Sequence, residues 1–322
     1  MTTQTRTLVG FVDPATAEPL ERSGDELRGR NGARFPIVNG IARFVESEGY
    51  AEQFGIEWNI HTKTQLDSHN GGTISRVRLE GILGAQTSSL EGKLVLETGC
   101  GAGRFTELMV GAGAIVHSID LSSAVDANRR NIGDQPNHVL AQSDLLHPPF
   151  PPESFDVVVC LGVAQSTPPP TDATLRALWG MVKPGGTLVV DHYAWDLSRV
   201  TQLDPLFREV LKRLPPKRAK RITDKLTEIF FPAHWAVRNH RWLQALLSRI
   251  SPLYTYMHRD KGLDRQTHFD WAQLDAYDHL ADRYKRMTTV GQMRRLVARL
   301  DPASTWVRRG GNGVEARLVK RP

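Results

Sequence analysis

A chain of 322 residues, 40% hydrophobic and 24% charged, has enough apolar material to bury one large core or two smaller ones, which excludes a disordered protein. Its net charge of +6 is modest for this length. No uninterrupted apolar run of about 18 residues offers a membrane span, and the first residues lack a basic stretch followed by a long apolar one, so the expectation is a cytoplasmic chain with no membrane partner. Only Cys100 and Cys160 are present; without partner spacing for zinc, they exclude a disulfide framework and fit a reducing compartment.

In chain order, residues 7–46 read as short strands and turns, with "TLVGFVD" followed by "GDELRGRNGARFPIVNGIARFV" punctuated by Gly, Asn and Pro. From Tyr50 to about Leu90 the pattern turns helical, and Tyr50, Phe54 and Trp58 fall at i, i+4 and i+8, a spacing that one helix face presents together. Between Lys93 and Tyr193 short apolar runs alternate with helical ones. The strand candidates are "LVLETG" (94–99), "AIVHSID" (114–120), "HVLAQSD" (138–144), "FDVVVCLG" (155–162) and "GTLVVDHY" (186–193). The helix candidates are "GRFTELMVGAG", "SAVDANRRN" and "TDATLRALWGMV". Such alternation indicates βαβ units in a parallel sheet, whose right-handed crossovers bring the strand C-termini to one binding edge. The strand signal then disappears to Met287, over a region rich in Arg, Lys, Trp and His that reads as a lid insertion. The chain closes with two β runs around Gly310, Gly311, Asn312 and Gly313, a hairpin signature.

Gly99, Gly101 and Gly103 stand where the first of these strands turns into a helix, so each missing Cβ allows a sharp turn or a close ligand. The turn implies a nucleotide or nucleoside cofactor, and nicotinamide and flavin enzymes use a related one. Asp120 ends the second strand, where a carboxylate can accept both ribose hydroxyls. Asp144, with Leu145 after it, offers an acceptor for an exocyclic amine beside a backbone N–H for a ring nitrogen. Glu97 adds a negative charge where a diphosphate needs positive or neutral surroundings, and it suits a cationic sulfonium with an amino group.

On these residues the sequence resembles the class I S-adenosylmethionine-dependent methyltransferases. "VLETGCGAGRFTE" resembles the family's first motif, "VHSIDLS" its ribose-binding strand, "AQSDLLHPPFPPESFDVVVCLGV" its adenine-binding and fourth-strand region, and "LWGMVKPGGTLVVDHY" its fifth. The resemblance implies an α/β fold: a doubly wound, Rossmann-like, seven-stranded sheet with a helical lid insertion and a small β-rich N-terminal appendage. It implies S-adenosyl-L-methionine as cofactor, with Glu97, Gly99, Gly101 and Gly103 around the methionine part, Asp120 and Leu121 at the ribose, Asp144 and Leu145 at adenine, and Leu161 with Gly162 at the transfer site. Residues 24–45 are similar to a zinc-ribbon-like domain that accompanies many such enzymes. "VDPATAEPL" stands where its first cysteine pair belongs, so no metal is expected. "GYAEQFGIEWNIHTKTQLDS" resembles the capping segment of a bacterial subgroup, which implies that Tyr50, Phe54, Trp58 and Gln65 close over the cofactor. The division that follows is 1–47 appendage, 48–90 helical cap, 91–193 core, 194–287 lid and 288–322 closing helix and hairpin.

Methyl transfer needs a positioned nucleophile and, for an aliphatic hydroxyl, a general base. The "DHY" end of the fifth strand offers His192, with Tyr193 beside it, as candidate catalytic residues; His234, His240 and His268 in the lid are weaker ones. Relatives carry histidines after the fourth strand where this chain has Gln165 and Ser166. The later lid offers Trp242, Tyr254, Tyr256, Trp271 and Tyr277 as walls for a sugar or planar substrate, and the resemblance puts Asp278 and Tyr284 near the substrate side. The basic stretch from Lys212 to Lys225 is broken by Pro215 and Pro216 and has no interleaved aromatics, so it reads as a solvated helix rather than a nucleic-acid face. The expected function is O-methylation of a small polar acceptor, a saccharide or specialised metabolite. The alternatives are methylation of RNA or protein, and a catalytically degenerate cofactor-binding module. Oligomeric state is not legible.

Overall fold

The computed structural model describes residues 8–168, 170–196, 202–253, 262–311 and 313–322; the expectations for Tyr254, Tyr256 and Asn312 lie outside these residues. The N-terminal region forms β1 (Leu20–Ser23), β2 (Glu26–Gly29), β3 (Arg34–Val38) and β4 (Ile41–Arg43), joined as antiparallel neighbours. Helices α1 (Glu52–Ile60), α2 (Asp67–Asn70) and α3 (Ile74–Leu83) follow. The central region alternates β5 (Leu94–Thr98), α4 (Thr106–Gly111), β6 (Ile115–Asp120), α5 (Ala124–Ile132), β7 (His138–Gln142), β8 (Phe155–Cys160), α6 (Thr171–Met181) and β9 (Val182–His192). Four helices come next: α7 (Asp204–Leu211), α8 (Pro216–Ala236), α9 (Arg241–Ile250) and α10 (Arg265–Ala281). Helix α11 (Val290–Ala298) and the hairpin β10 (Ser304–Gly310) and β11 (Gly313–Val319) complete the fold.

The eleven strands among the described residues form one sheet, in the order β1-β2-β3-β4-β7-β6-β5-β8-β9-β11-β10. This corrects the expected seven-stranded sheet. Strands β5 to β11 are contiguous within it, but β4 pairs in parallel with β7 through Ala42↔Ala141 and Arg43↔Gln142, so the N-terminal strands extend the sheet. The sequence obscured this pairing because β4 is only three residues long and no local pattern announces a parallel partner a hundred residues away.

Period-two alternation sends the strand side chains into two apolar layers. Leu94, Leu96, Val158, Cys160, Leu188 and Val190 meet Leu175 and Leu178 of α6 and Met293 and Val297 of α11 on one face. Val95, Val157, Val159 and Val189 meet Leu79 and Ile82 of α3 and Leu108 and Met109 of α4 on the other. Strands buried on both faces therefore read as continuous apolar runs. Gly313, at φ 140°, has the site of a Cβ 2.4 Å from the His192 carbonyl oxygen, so the hairpin docks against the end of β9 only with glycine there. Helix α11 opens with a capping box, in which the Thr289 hydroxyl accepts from the Gln292 N–H and the Gln292 side chain accepts from the Thr289 N–H.

Candidate active site

The C-terminal ends of β5, β6, β8 and β9 open onto a cavity of about 640 Å³. Its floor is the glycine turn after β5. Gly99, Gly101 and Gly103 all have positive φ, at 70°, 50° and 98°. A Cβ at Gly99 would lie 2.2 Å from Val163 Cγ2, one at Gly101 3.3 Å from the Trp58 indole, and one at Gly103 3.1 Å from Ile132 Cδ1. The glycines are thus required by backbone conformation and by packing of the chain's own side chains, not by a ligand alone. Gly99 and Gly101 line the cavity; Gly103 is not among its walls.

Asp120, at the end of β6, holds that turn. Its Oδ2 accepts from the Gly101 N–H at 2.9 Å, and its Oδ1 accepts from the Ser122 N–H at 2.9 Å and the Ser122 hydroxyl at 2.7 Å. Burial raises its carboxyl above the ordinary value. Leu121, Ser143, Leu145, Leu161 and Gly162 continue the wall, and Tyr50, Phe54, Trp58 and Gln65 face them from the helical region before the core. Tyr50 packs edge-on against Tyr284, and burial beside Asp144 and Asp120 pushes its phenol up.

Besides Gly103, three expected residues lie elsewhere. Glu97 is 3% exposed and absent from the cavity wall; its Oε2 accepts from Thr106 Oγ1 at 2.6 Å and Ser118 Oγ at 2.9 Å, and burial pushes its carboxyl up to about 7. It ties β5 to α4 and β6. Asp144 also falls outside the wall, its Oδ1 accepting from the Leu146 N–H at 2.9 Å, while its neighbours Ser143 and Leu145 line it. His192 is 1% exposed and does not line the cavity. Its Nδ1 donates to the Tyr193 carbonyl and its Nε2 meets the Thr171 hydroxyl, both at 3.2 Å, and burial lowers its pKa.

Alternation along β9 decides this. With His192 turned inward, Asp191 and Tyr193 take the opposite side. Asp191 Oδ1 accepts from the Gly162 N–H at 2.6 Å, its Oδ2 accepts from Arg78, and Tyr193 lines the cavity. The Tyr193 hydroxyl donates to Asp278 Oδ2 at 2.8 Å.

Helix α10 supplies Trp271, Leu274, Asp275 and Asp278, a single face by helical spacing. Among the described residues of the expected lid, this helix makes the wall. His234 is instead buried between Gln244 and Ser251, and Tyr277 donates to the Pro216 carbonyl. Asp275 Oδ2 is buried with no hydrogen-bond partner among the described residues, and burial, reinforced by the charge of Asp278, pushes its carboxyl up to about 8. Burial and the charge of Asp282 likewise raise Asp278, against the pull of Lys285. Arg104 donates to Gln65 Oε1 at 2.7 Å and Ser75 Oγ at 2.9 Å, with its guanidinium 5.7 Å from the Trp271 ring. Asp275, Arg78 and Arg104 were not foreseen, although Trp271, Asp275 and Asp278 at i, i+4 and i+7 were a readable signal. No group of three or more metal-ligating side chains is assembled among the described residues.

Over residues 96–190 the chain matches the family model described as a methyltransferase domain. The ubiquinone biosynthesis O-methyltransferase of Pseudomonas putida strain GB-1 is 37% identical over 105 residues, 31% of this chain and 44% of that one. The enzyme of the same description from Pseudomonas entomophila strain L48 is 39% identical over 111 residues, 30% of this chain and 43% of that one. The chain thus spans less than half the length of the curated relatives it matches. Among solved structures, magnesium protoporphyrin IX methyltransferase from Synechocystis PCC 6803 with bound S-adenosylhomocysteine is similar at 14% identity and a TM-score of 0.45, over 85% of this chain and 97% of that one. The matched segment holds the glycine turn, Asp120, Leu145 and Leu161.

Proposed function

We propose that the chain transfers a methyl group from S-adenosyl-L-methionine to an oxygen of a small polar acceptor, a saccharide or specialised metabolite. One observation carries this reading: a single cavity joins the glycine turn, Asp120 and Leu145 of the methyltransferase domain to the hydrogen-bonded pair of Tyr193 and Asp278. The residues present fit the cofactor, because Asp120 lines the cavity with three hydrogen bonds fixing its carboxylate and acceptor capacity left for a ribose hydroxyl. When bound, S-adenosyl-L-methionine supplies an electrophilic methyl group on a positively charged sulfur.

In this reading Asp120 and Leu121 hold the ribose, Leu145 offers its backbone to adenine, and Tyr50, Phe54 and Trp58 exclude water. Leu161 and Gly162 border the transfer point. Tyr193 receives the acceptor's hydroxyl proton as its own moves to Asp278 Oδ2, and the raised pKa of Asp278 makes it a better base than a solvated carboxylate. The strands of residues 1–47 are read as the zinc-ribbon-like segment without its cysteines, 48–90 as a cap, 91–193 as the core, 194–287 as a lid and 288–322 as the closing elements.

Calorimetric titration with S-adenosyl-L-methionine and S-adenosylhomocysteine, followed by mass spectrometry of a cell extract incubated with methyl-labelled cofactor, tests the reading. Binding of both ligands with a labelled small product is the expected result. Absence of binding removes the cofactor, and label found in RNA or protein removes the small acceptor.

A further inference from the structure

Helices α7 and α9 each present an apolar stripe to solvent. On α9, Trp242, Leu246 and Ile250 stand at i, i+4 and i+8 and are 69%, 59% and 57% exposed. Leu203, just before α7, and Leu206 and Val210 on it stand at i, i+3 and i+7, at 42%, 66% and 61%. The opposite faces are buried through Gln244 on α9 and Asp204 and Leu211 on α7. The Leu203 N–H donates to the Arg249 carbonyl at 2.9 Å, which sets the start of α7 beside the end of α9, with Leu203 and Ile250 at the junction. Single exposed apolar residues need no explanation, whereas a patch of this kind marks an interaction surface.

Charge selects the occupant. Residues 203–253 hold eleven Lys and Arg against four Asp and Glu, a surplus larger than the net +6 of the whole chain. Arg241 and Arg249 are exposed on α9 next to Trp242 and Ile250. Glu209, on α7, is already ion-paired with Lys212 and Arg213. A second copy of the chain would bring two basic surpluses together, so an anionic partner is favoured. Large apolar side chains including tryptophan, at helical spacing and flanked by arginine, are the pattern of helices that lie in the plane of a lipid interface. No helix among the described residues is long and apolar enough to cross a membrane, so the contact is peripheral.

We propose that the outer face of α7 and α9 docks on an anionic lipid surface, its six apolar side chains entering the headgroup boundary and its arginines meeting lipid phosphates. Arg208 of α7 donates to the His279 carbonyl of α10 at 3.1 Å, so the docked face sits one helix away from the cavity wall.

The test is flotation of the full chain with vesicles of phosphatidylcholine alone and of phosphatidylcholine mixed with phosphatidylglycerol, at low and high salt. Binding to the anionic vesicles, weakened by salt and reduced about tenfold or more in a Leu206→Ser, Trp242→Ser, Leu246→Ser variant, is expected. Unchanged affinity for S-adenosylhomocysteine shows that the variant is folded and its cofactor site intact. Should the triple variant misfold, Arg241→Glu with Arg249→Glu decides: retained flotation overturns the proposal and lost flotation supports it. Failure of the wild type to float overturns it, as does a concentration-dependent dimer in solution that the serine substitutions abolish.

Discussion

The phenol of Tyr193 donates to the carboxylate of Asp278 across 2.8 Å, and both side chains line the cavity at the strand ends. The pair joins the end of β9 to α10, through residues 85 positions apart in the chain. If it receives the acceptor's proton, Tyr193→Phe and Asp278→Asn should each lower kcat by roughly 10²–10⁴-fold, the usual range for a lost general base. Calorimetric affinity for S-adenosylhomocysteine should stay within error. A kcat that survives both substitutions would remove the pair from the mechanism.

Asp120 separates charge from turn geometry. Asp120→Ala deletes the acceptor for the Gly101 N–H and for a ribose hydroxyl. At about 1.5–3 kcal/mol for a hydrogen bond to a charged group, cofactor affinity should fall by roughly 10- to 150-fold. Asp120→Asn keeps an oxygen for Gly101 but removes the charge, and should retain more affinity while its circular dichroism matches the wild type. Equal affinity in wild type and Asp120→Ala would refute the cofactor site.

Gly99→Ala meets two obstacles, a φ of 70° and Val163 Cγ2 at 2.2 Å from the new Cβ. Urea unfolding should show a loss of about 1–3 kcal/mol for the backbone conformation, with the clash added. Pairing it with Val163→Ala should recover the steric part only. Full recovery in this cycle would show that packing, not backbone conformation, reserves the position for glycine.

Asp275 gives the fold a pH dependence. Its carboxyl rises from 3.8 to about 8 on folding, because burial and then the charge of Asp278 outweigh Arg104, Lys285 and Arg78. A raised folded-state pKa contributes stability that is whole below the unfolded value and is lost as the pH climbs through the folded one. Between pH 4 and 8 the Tm of Asp275→Asn should therefore gain steadily on that of the wild type, by ~2–4 °C for each kcal/mol of relieved penalty. Parallel Tm curves would show that the carboxyl is solvated.

Most of the core was legible because its signals are local. Continuous apolar runs such as "FDVVVCLG" marked strands buried on both faces, and the three glycines marked the turn. Legibility failed where tertiary contacts decide. Nothing near Glu97 shows that Thr106 and Ser118 occupy its carboxylate, and His192 and Tyr193 differ only by the side of a strand that a hairpin from the chain's end covers. Asp275 escaped notice because its neighbours Asp278 and Tyr284 carried the resemblance, while a buried Oδ2 with no hydrogen-bond partner among the described residues is visible only in three dimensions.

The parallel pairing of β4 with β7 has a bearing on how the protein keeps itself apart from other copies. An uncovered sheet edge is a ready template for another chain, and β7 would be such an edge without its neighbour. The N-terminal strands move the end of the sheet outward to β1, four residues long and carrying Glu21 and Arg22. Short, charged edges resist recruitment into aggregates. A truncation that spares every cavity residue but removes β1 to β4 would therefore fail first in solubility rather than in binding.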